Sequence, residues 1–410
     1  MTRLFSFPRD RIRVVLLEGI HPGAQAYLVE HGYTNVELVE GSLPKAELAA
    51  MLADAHIVGI RSRTMMDKEL LAKAPKLVAL GCFCIGTNQV SLDEAARLGV
   101  PVFNAPHSNT RSVAELVIGL VVMLRRDIFR KSAEVHAGRW PKTAKGSHEL
   151  RGQTLGIVGY GHIGSQVSVL AEALGMRVIF FDIQPKLPLG NAQPVASLED
   201  LLRHADIVSL HVPETADTIG MMNEERLHAM RPGSLLVNTS RGSVVDQDAL
   251  ARALDRGHLA GAAVDVFPKE PRGADEPLQS PLRGRRDVIL TPHIAGSTVE
   301  AQEKIGLEVA GKLMAYSDRG ATVGAVNFPE LNLAPHHGTH RILHIHRNEP
   351  GMLQQINKAV ADENINVLAQ HLETRGPIGY VVLDIEKQAS SRLFALLKEI
   401  PGTVRARILY

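Results

Sequence analysis

Cysteine is nearly absent. Cys82 and Cys84 are the only two in 410 residues, too few for a disulfide framework. No second Cys or His pair stands near them, so they read as small core residues rather than metal ligands. An excess of charge of either sign is also missing. The 45 basic and 44 acidic side chains leave a formal net charge of +1, which gives no electrostatic footprint for nucleic acid or an anionic membrane. A local basic pocket for a small anion is still compatible with that balance. Long apolar runs are missing too. The most apolar helix pattern, "VAELVIGLVVMLRR" (113–126), is unbroken only from Leu116 to Leu124, too short to span a bilayer. It reads as a helix buried in a core or a subunit interface. In "MTRLFSFPRDRIRV", Arg and Pro interrupt the place where a secretion signal carries its apolar core. The expectation is a cytoplasmic protein with no nucleic-acid or membrane partner and no metal.

What the chain does contain is an ordinary globular composition, 45% hydrophobic and 22% charged, over a length that suits two or three domains. Short β-rich runs alternate with helical patterns over the first hundred residues: "RVVLLEG" (13–19), "NVELVE" (35–40), "HIVGIRS" (56–62), "LVALG" (77–81) and "VPVFN" (100–104). Such alternation implies βαβ units and a parallel sheet. From Arg151 the rhythm restarts. "TLGIVG" (154–159), "RVIFFD" (177–182), "DIVSLHV" (206–212), "SLLVNTS" (234–240), "GAAVDVF" (261–267) and "DVILTPH" (287–293) are continuous apolar runs, as strands buried on both faces require. They predict a six-strand doubly wound domain. An amphipathic helix follows over 296–320, with Ser297 and Glu300 spaced as a capping box. Residues 329–340 lack periodicity and read as a linker. The tail from 341 reads β-α-β-β-α-β, a ferredoxin-like unit.

Gly159, Gly161 and Gly164 form G-x-G-x-x-G in "IVGYGHIGSQV", after one strand, opening a helix, and 18 residues before Asp182 at the end of the next strand. Each part has a physical role in holding a dinucleotide. The glycines let backbone approach a pyrophosphate, the helix N-terminus favours its charge, and the carboxylate accepts from ribose hydroxyls. Ile183 and Gln184 follow with no Arg to receive a 2′-phosphate, so NAD is favoured over NADP, although Lys186 is near.

Three later stretches place polar groups at the carboxyl ends of strands, where open α/β sheets bind ligands. Arg241 stands in "NTSRG", Glu270 in "DVFPKEP" and His293 in "LTPHIAGST". Removing a hydride from a carbon that bears a hydroxyl requires the hydroxyl proton to move as well, and His suits that transfer with its ordinary value near 6.5. A neighbouring carboxylate would orient the imidazole and stabilise its cation. An Arg fork holds a 2-oxo or 2-hydroxy carboxylate by two points. Taken singly, the His is an ordinary loop residue and the Glu a solvated charge; the ordered set after a dinucleotide fingerprint argues for chemistry.

Together, "GIVGYGHIGSQV", "NTSRGSVVD", "AGAAVDVFPKEP" and "LTPHIAGST" resemble the D-isomer-specific 2-hydroxyacid dehydrogenases. The resemblance covers essentially the whole chain, including "LGCFCIGTNQV" (80–90) and "FNAPHSNTRSVAELVIG" (103–119). It implies catalysis by Arg241, Glu270 and His293, and cofactor contacts from His162, Ile163, Val212, Thr239, Ser240, Asp265 and Gly296 beside the three glycines and Asp182. It also implies a Rossmann-type NAD-binding domain (107–295) inserted in a flavodoxin-like substrate domain (1–106 and 296–330), followed by an ACT domain (337–410).

Arg61, Ser62 and Arg63 in "GIRSRT", with Thr64, are donors just past a strand. Ordinary surface arginines are the alternative. The resemblance assigns this loop to the substrate, D-3-phosphoglycerate, with Asn109 nearby and Trp140 and Lys142 of "GRWPK" reaching a neighbouring subunit's site. For the tail, it implies that L-serine binds across a paired interface at His346, Asn348 and Asn366 and lowers turnover, in a homotetramer. Asn and neutral His supply the donors and acceptors that serine needs. A metal site on His336, His337, His340, His344 and His346 lacks a supporting Cys or carboxylate cluster. Other readings are a pure assembly role for the tail, activity on another 2-hydroxy acid, side reduction of 2-oxoglutarate, and a non-enzymatic dinucleotide sensor.

Overall fold

The computed structural model describes residues 7–271, 276–336, 338–387 and 390–409, so His337 and Tyr410 of the tail lie outside the described residues. The chain divides into two compact units, Met1–Ser108 with Gln302–Tyr410, and Asn109–Ala301.

The first unit opens with β1 (Val14–Leu16), β2 (Val36–Leu38), β3 (Ile57–Ile60), β4 (Ala79–Cys82) and β5 (Val102–Asn104), all parallel in the order β2-β1-β3-β4-β5. The central strands are buried on both faces because successive side chains feed opposite cores. Val14, Leu16 and Ile57 join one apolar cluster, and Val15, Val58 and Leu80 the other. This flavodoxin-like order reverses direction between β1 and β3. The crevice outside their carboxyl ends is where such sheets bind ligands. Two loops leave those ends, one with Glu18 and one with Arg61.

The second unit carries β6 (Thr154–Val158), β7 (Arg177–Phe181), β8 (Gln193–Pro194), β9 (Ile207–Leu210), β10 (Ser234–Asn238), β11 (Leu259–Val264) and β12 (Val288–Leu290). They form a parallel sheet in the order β12-β11-β10-β9-β6-β7-β8, a Rossmann-type winding. Sequence periodicity gave six strands here and the structure has seven. The additional strand, β8, is a two-residue edge pairing Gln193 with Ile179 and Pro194 with Phe180. Two residues carry no alternation, and Pro is admissible only at such an edge.

In the first unit, the helix Val299–Arg319 leads toward a third sheet, with β13 (His340–Arg347), β14 (Val367–Arg375), β15 (Ile378–Ile385) and β16 (Thr403–Leu409), antiparallel in the order β14-β15-β13-β16. Helices Met352–Asp362 and Ser390–Glu399 complete the βαββαβ unit. Ile342 faces these helices with Ile356, Val381 and Leu397. Leu343, Ile345, Tyr380 and Val382 face the other way and share a core with Tyr316 and Phe328. Both faces of β13 and β15 are therefore buried, whereas the edge strand β14 is largely exposed.

Two local expectations are corrected. The helix after 296 starts at Val299, and its cap is Thr298, whose hydroxyl accepts from the Ala301 amide at 3.2 Å, rather than Ser297. The segment from Pro329 also does not behave as a loose linker. Leu331 and Leu333 are buried, the Thr322 hydroxyl donates to the Pro329 carbonyl at 2.7 Å, and the Leu331 amide donates back to that hydroxyl at 2.8 Å. Side-chain packing, which has no short-range period here, orders it. Among the described residues no helix is long and apolar enough to cross a membrane.

Candidate active site

Strand β6 ends at a turn that tolerates nothing larger than glycine. Gly159 has φ +92°, and a Cβ there would stand 2.5 Å from the His211 carbonyl oxygen. A Cβ on Gly164 would stand 2.2 Å from the Gly159 oxygen, whereas one on Gly161 would meet nothing within 4 Å. Two glycines thus allow the turn to pack and the middle one leaves open space at the start of the helix His162–Ala173, whose first turn no side chain caps. Ile163, in that turn, is half-buried. Asp182, just past β7, accepts from the Tyr160 amide at 2.8 Å and from the Gln184 amide at 2.9 Å, which fixes its carboxylate beside the turn. Lys186 is engaged with the Gln184 side chain at 3.2 Å. Val212 follows β9, and Thr239 and Ser240 follow β10, on the same edge of the sheet. The Thr239 hydroxyl is buried and has no partner among the described residues. An open glycine, a free helix start and an orphaned hydroxyl along one edge fit a dinucleotide.

On the same edge, Arg241 leaves β10 with its guanidinium donating to the Ser240 carbonyl at 2.7 Å. Asn238 shapes this turn: its carboxamide oxygen accepts from the Ser240 amide at 3.0 Å and hydroxyl at 2.8 Å, and its NH2 donates to the Arg241 carbonyl at 3.0 Å. Gly242 lets the loop after β11 pass close, because a Cβ there would lie 1.9 Å from the Phe267 carbonyl carbon. That loop carries Glu270, one of whose oxygens accepts from the Phe267 amide at 3.3 Å while the other meets His293 Nδ1 at 2.8 Å.

His293 has φ +53°, a left-handed backbone uncommon outside glycine. Asp265 holds it there. Its carbonyl accepts from the His293 amide at 2.9 Å, and its buried carboxylate gathers the Thr291 hydroxyl (2.6 Å) and the amides of Ile294 and Ala295 (both 2.9 Å). The carboxylate of Asp265 therefore orders the His293 loop. The hydrogen bond from Glu270 raises the His293 value above its ordinary one and outweighs burial. For Glu270, burial pushes up, but the His293 bond and charge hold it below the usual carboxylate range. The result is an imidazole fixed at Nδ1 with Nε2 directed elsewhere, next to a cation able to hold a carboxylate. This arrangement can move one proton to or from a hydroxyl or carbonyl oxygen.

Gly296 sits against Asn109, whose NH2 would be 2.2 Å from an added Cβ, and the Asn109 carboxamide oxygen is buried without a partner among the described residues. Trp140 (79% exposed) and, on the helix Ile128–His136 before it, Phe129 (56%) and Val135 (47%) are large apolar side chains left exposed. Lys142 lines a cleft of about 950 Å³ with Arg126, Lys131, His136 and His148. Arg61, Ser62 and Arg63 belong to the other unit, on the loop after β3, and are half-buried, exposed and exposed. Cys82 is buried and Cys84 half-buried, and the two are not joined in a disulfide.

In the tail, His346 is buried and Asn348 exposed at one end of the sheet. Asn348 donates to the Gly376 carbonyl at 3.2 Å. Asn366 precedes β14, whose first residue pairs with Ile385, while His346 pairs with Gly379. Within one chain Asn366 is therefore at the opposite end of the sheet from the other two. Sequence reading weighed His344 only as a metal ligand and passed over Thr403. The Thr403 hydroxyl donates to the Leu397 carbonyl at 2.9 Å, so its oxygen accepts from His344 Nε2–H at 2.8 Å. His344 Nδ1 then accepts from His346 Nδ1–H at 3.3 Å, which leaves His346 Nε2 as an acceptor. Burial pushes His344 down to about 4, keeping it neutral in this chain of bonds. Among the described residues, no three His, Cys, Asp or Glu side chains gather around a point.

Comparison with known proteins supplies the family. Residues 118–295 match "D-isomer specific 2-hydroxyacid dehydrogenase, NAD binding domain", and residues 342–405 match "AHAS small subunit-like ACT domain". The chain is 55% identical to D-3-phosphoglycerate dehydrogenase of Haemophilus influenzae over 410 residues, 100% of both chains. It is 54% identical to that of Escherichia coli strain K12 over 407 residues, 99% of both. Among solved structures, D-lactate dehydrogenase from Aquifex aeolicus, complexed with NAD and lactic acid, aligns with TM-score 0.64 and 29% identity over 74% of this chain and 95% of that one.

Proposed function

Because the chain belongs to the D-isomer-specific 2-hydroxyacid dehydrogenases, with the D-3-phosphoglycerate dehydrogenases that end in an ACT domain as its relatives, we propose that it oxidises D-3-phosphoglycerate to 3-phosphohydroxypyruvate with NAD, in serine biosynthesis. The observation that carries the chemistry is the Glu270–His293 pair at 2.8 Å beside Arg241 on the dinucleotide edge.

The 159–164 turn, Asp182, Val212 and Thr239 would hold NAD, which would supply the acceptor for the hydride on the substrate's C2. Arg241 holds the substrate carboxylate as a fork. With Nδ1 tied to Glu270, His293 Nε2 takes the C2 hydroxyl proton, and Glu270 stabilises the imidazolium that forms. In the reverse direction the same imidazolium returns the proton to the carbonyl oxygen. Arg61, Ser62 and Arg63 bind the phosphate, and Asn109 orients the substrate. The same cations suit 2-oxoglutarate, a second dianion, as a minor substrate. Residues 1–106 with 296–330 act as the substrate domain, 107–295 as the NAD domain and 337–410 as the regulatory domain.

L-serine lowers turnover by binding the ACT domain at His346 and Asn348 of one copy and Asn366 of another. Their separation within one chain supports a site completed by a second copy. The assembly in this reading is a cytoplasmic homotetramer, and the exposed large apolar side chains Phe129, Val135 and Trp140 suit a subunit contact. The test is direct: Arg241→Ala and His293→Ala each lose at least about a hundredfold in turnover while NADH fluorescence titration is unchanged. Equal loss of NADH binding would contradict these roles.

A further inference from the structure

Glu18 follows β1 directly and is buried at 8% exposure, a carboxylate placed at the point where the first sheet reverses its strand order. Its backbone has φ +63° and that of Gly19 +60°, two successive left-handed residues. The turn is held open by the Glu18 amide bonding the Gly41 carbonyl at 3.1 Å and the Gly19 amide bonding that of Val39 at 3.0 Å. This conformation swings the side chain beneath the loop that leaves β3. One carboxylate oxygen accepts from the amides of Arg61 (3.2 Å) and Thr64 (2.8 Å), and the other accepts from that of Arg63 (2.9 Å). The Arg61 guanidinium reaches back to the Glu18 carbonyl at 3.4 Å. From the opposite side, the Gln89 NH2 donates to the Arg61 carbonyl at 2.7 Å, with Gly86 O and Cys84 Sγ both at 3.3 Å.

These contacts have a chemical consequence. The amides of residues 61, 63 and 64 point inward to a negative charge, so an anion at this loop meets side chains and not a cradle of backbone N–H groups. Its grip depends on where Arg61 is aimed, and Arg61 is pinned at its amide by Glu18 and at its carbonyl by Gln89. We propose that Glu18 and Gln89 are positioning residues that preset the Arg61 loop for the substrate's phosphate. This rests on the reading of Arg61 as the phosphate-binding residue.

The test uses the full-length enzyme and two substrates that differ only in the phosphate, 3-phosphohydroxypyruvate and hydroxypyruvate. Glu18→Ala is expected to raise KM for the phosphorylated substrate about tenfold while kcat stays within about twofold, as loss of a buried charged hydrogen-bond acceptor should. KM for hydroxypyruvate and for NADH should not move. Glu18→Gln keeps one acceptor oxygen but turns its NH2 toward at least one of the three amides, so it should raise the phosphate KM less than Glu18→Ala does but measurably, and Gln89→Leu should reproduce the phosphate-specific defect. Glu18→Ala added to Arg61→Ala should cost nothing beyond Arg61→Ala alone. Equal loss on both substrates, a fall in kcat at constant KM, or additivity with Arg61→Ala would overturn the positioning role with the activity reading intact. Should Glu18→Ala not fold, an unchanged phosphate KM in both Glu18→Gln and Gln89→Leu would overturn it. A wild-type enzyme that turns over neither substrate would overturn the activity reading itself, and this inference with it.

Discussion

His293 combines a strained backbone, a bond to Glu270 and a raised proton affinity, and its pH behaviour follows. Reduction of the 2-oxo acid needs His293 protonated. It should therefore persist above the ordinary imidazole value and fall as pH rises through the raised one, while oxidation climbs through the same limb. Glu270→Gln removes the cause of the rise, so both limbs should move to lower pH, with turnover down about a hundredfold. Paired pH–rate profiles check this, and a limb that does not move would contradict the pairing. The sequence pointed to these side chains because a dinucleotide fingerprint and three strand ends order them. It could not show that residues 23 apart meet at 2.8 Å. Nor could it show that His293 is left-handed, since neither Gly nor Asn marks the position. Glu18 was equally hidden: an acid between an apolar run and a Gly looks like any turn residue until the 61–64 amides are seen to converge on it.

At the scale of elements, β13 shows how strand parity sorts function from packing. Leu343 and Ile345 go to one core, while His344 and His346 go to the helix side. The bond chain from Thr403 through His344 fixes which nitrogen His346 presents. His344→Leu should leave turnover near wild type and raise the serine needed for half inhibition roughly tenfold, as loss of a buried bonded partner implies. Asn348→Ala should do likewise, and unchanged inhibition in both would misplace the effector site. Because His344 is held neutral with a value near 4, its contribution to stability is complete above 6.5 and is lost as pH falls toward 4. Melting temperature should drop more steeply over that window in wild type than in His344→Leu. Most strands were legible because buried parallel strands leave unbroken apolar runs. The edge strand β8, the cap at Thr298 and the ordered stretch after Pro329 were not, because each depends on contacts rather than on period.

At the scale of the molecule, the tail is part of the first unit's core rather than an appendage. The buried Tyr380 hydroxyl donates to the Gly320 carbonyl at 2.7 Å, and Arg375 spans the carbonyls of Ala325 and Phe328, both at 3.2 Å. Tyr380→Phe leaves a buried carbonyl unpaired and should destabilise by about 1–3 kcal/mol, read as a lower melting temperature with KM values unchanged. Shared packing of this kind joins the tail's sheet to the sheet that carries the Arg61 loop. The parallel sheets and the βαββαβ tail were readable from alternation, whereas the insertion of one domain in another came from the family resemblance. The merging of the tail with the first sheet was not readable, since it depends on side chains hundreds of residues apart. The most direct measurement follows NADH absorbance with purified protein and 3-phosphohydroxypyruvate, with and without millimolar L-serine. Consumption that serine suppresses is the predicted result; no consumption, or consumption indifferent to serine, would contradict the catalytic half or the regulatory half of the account.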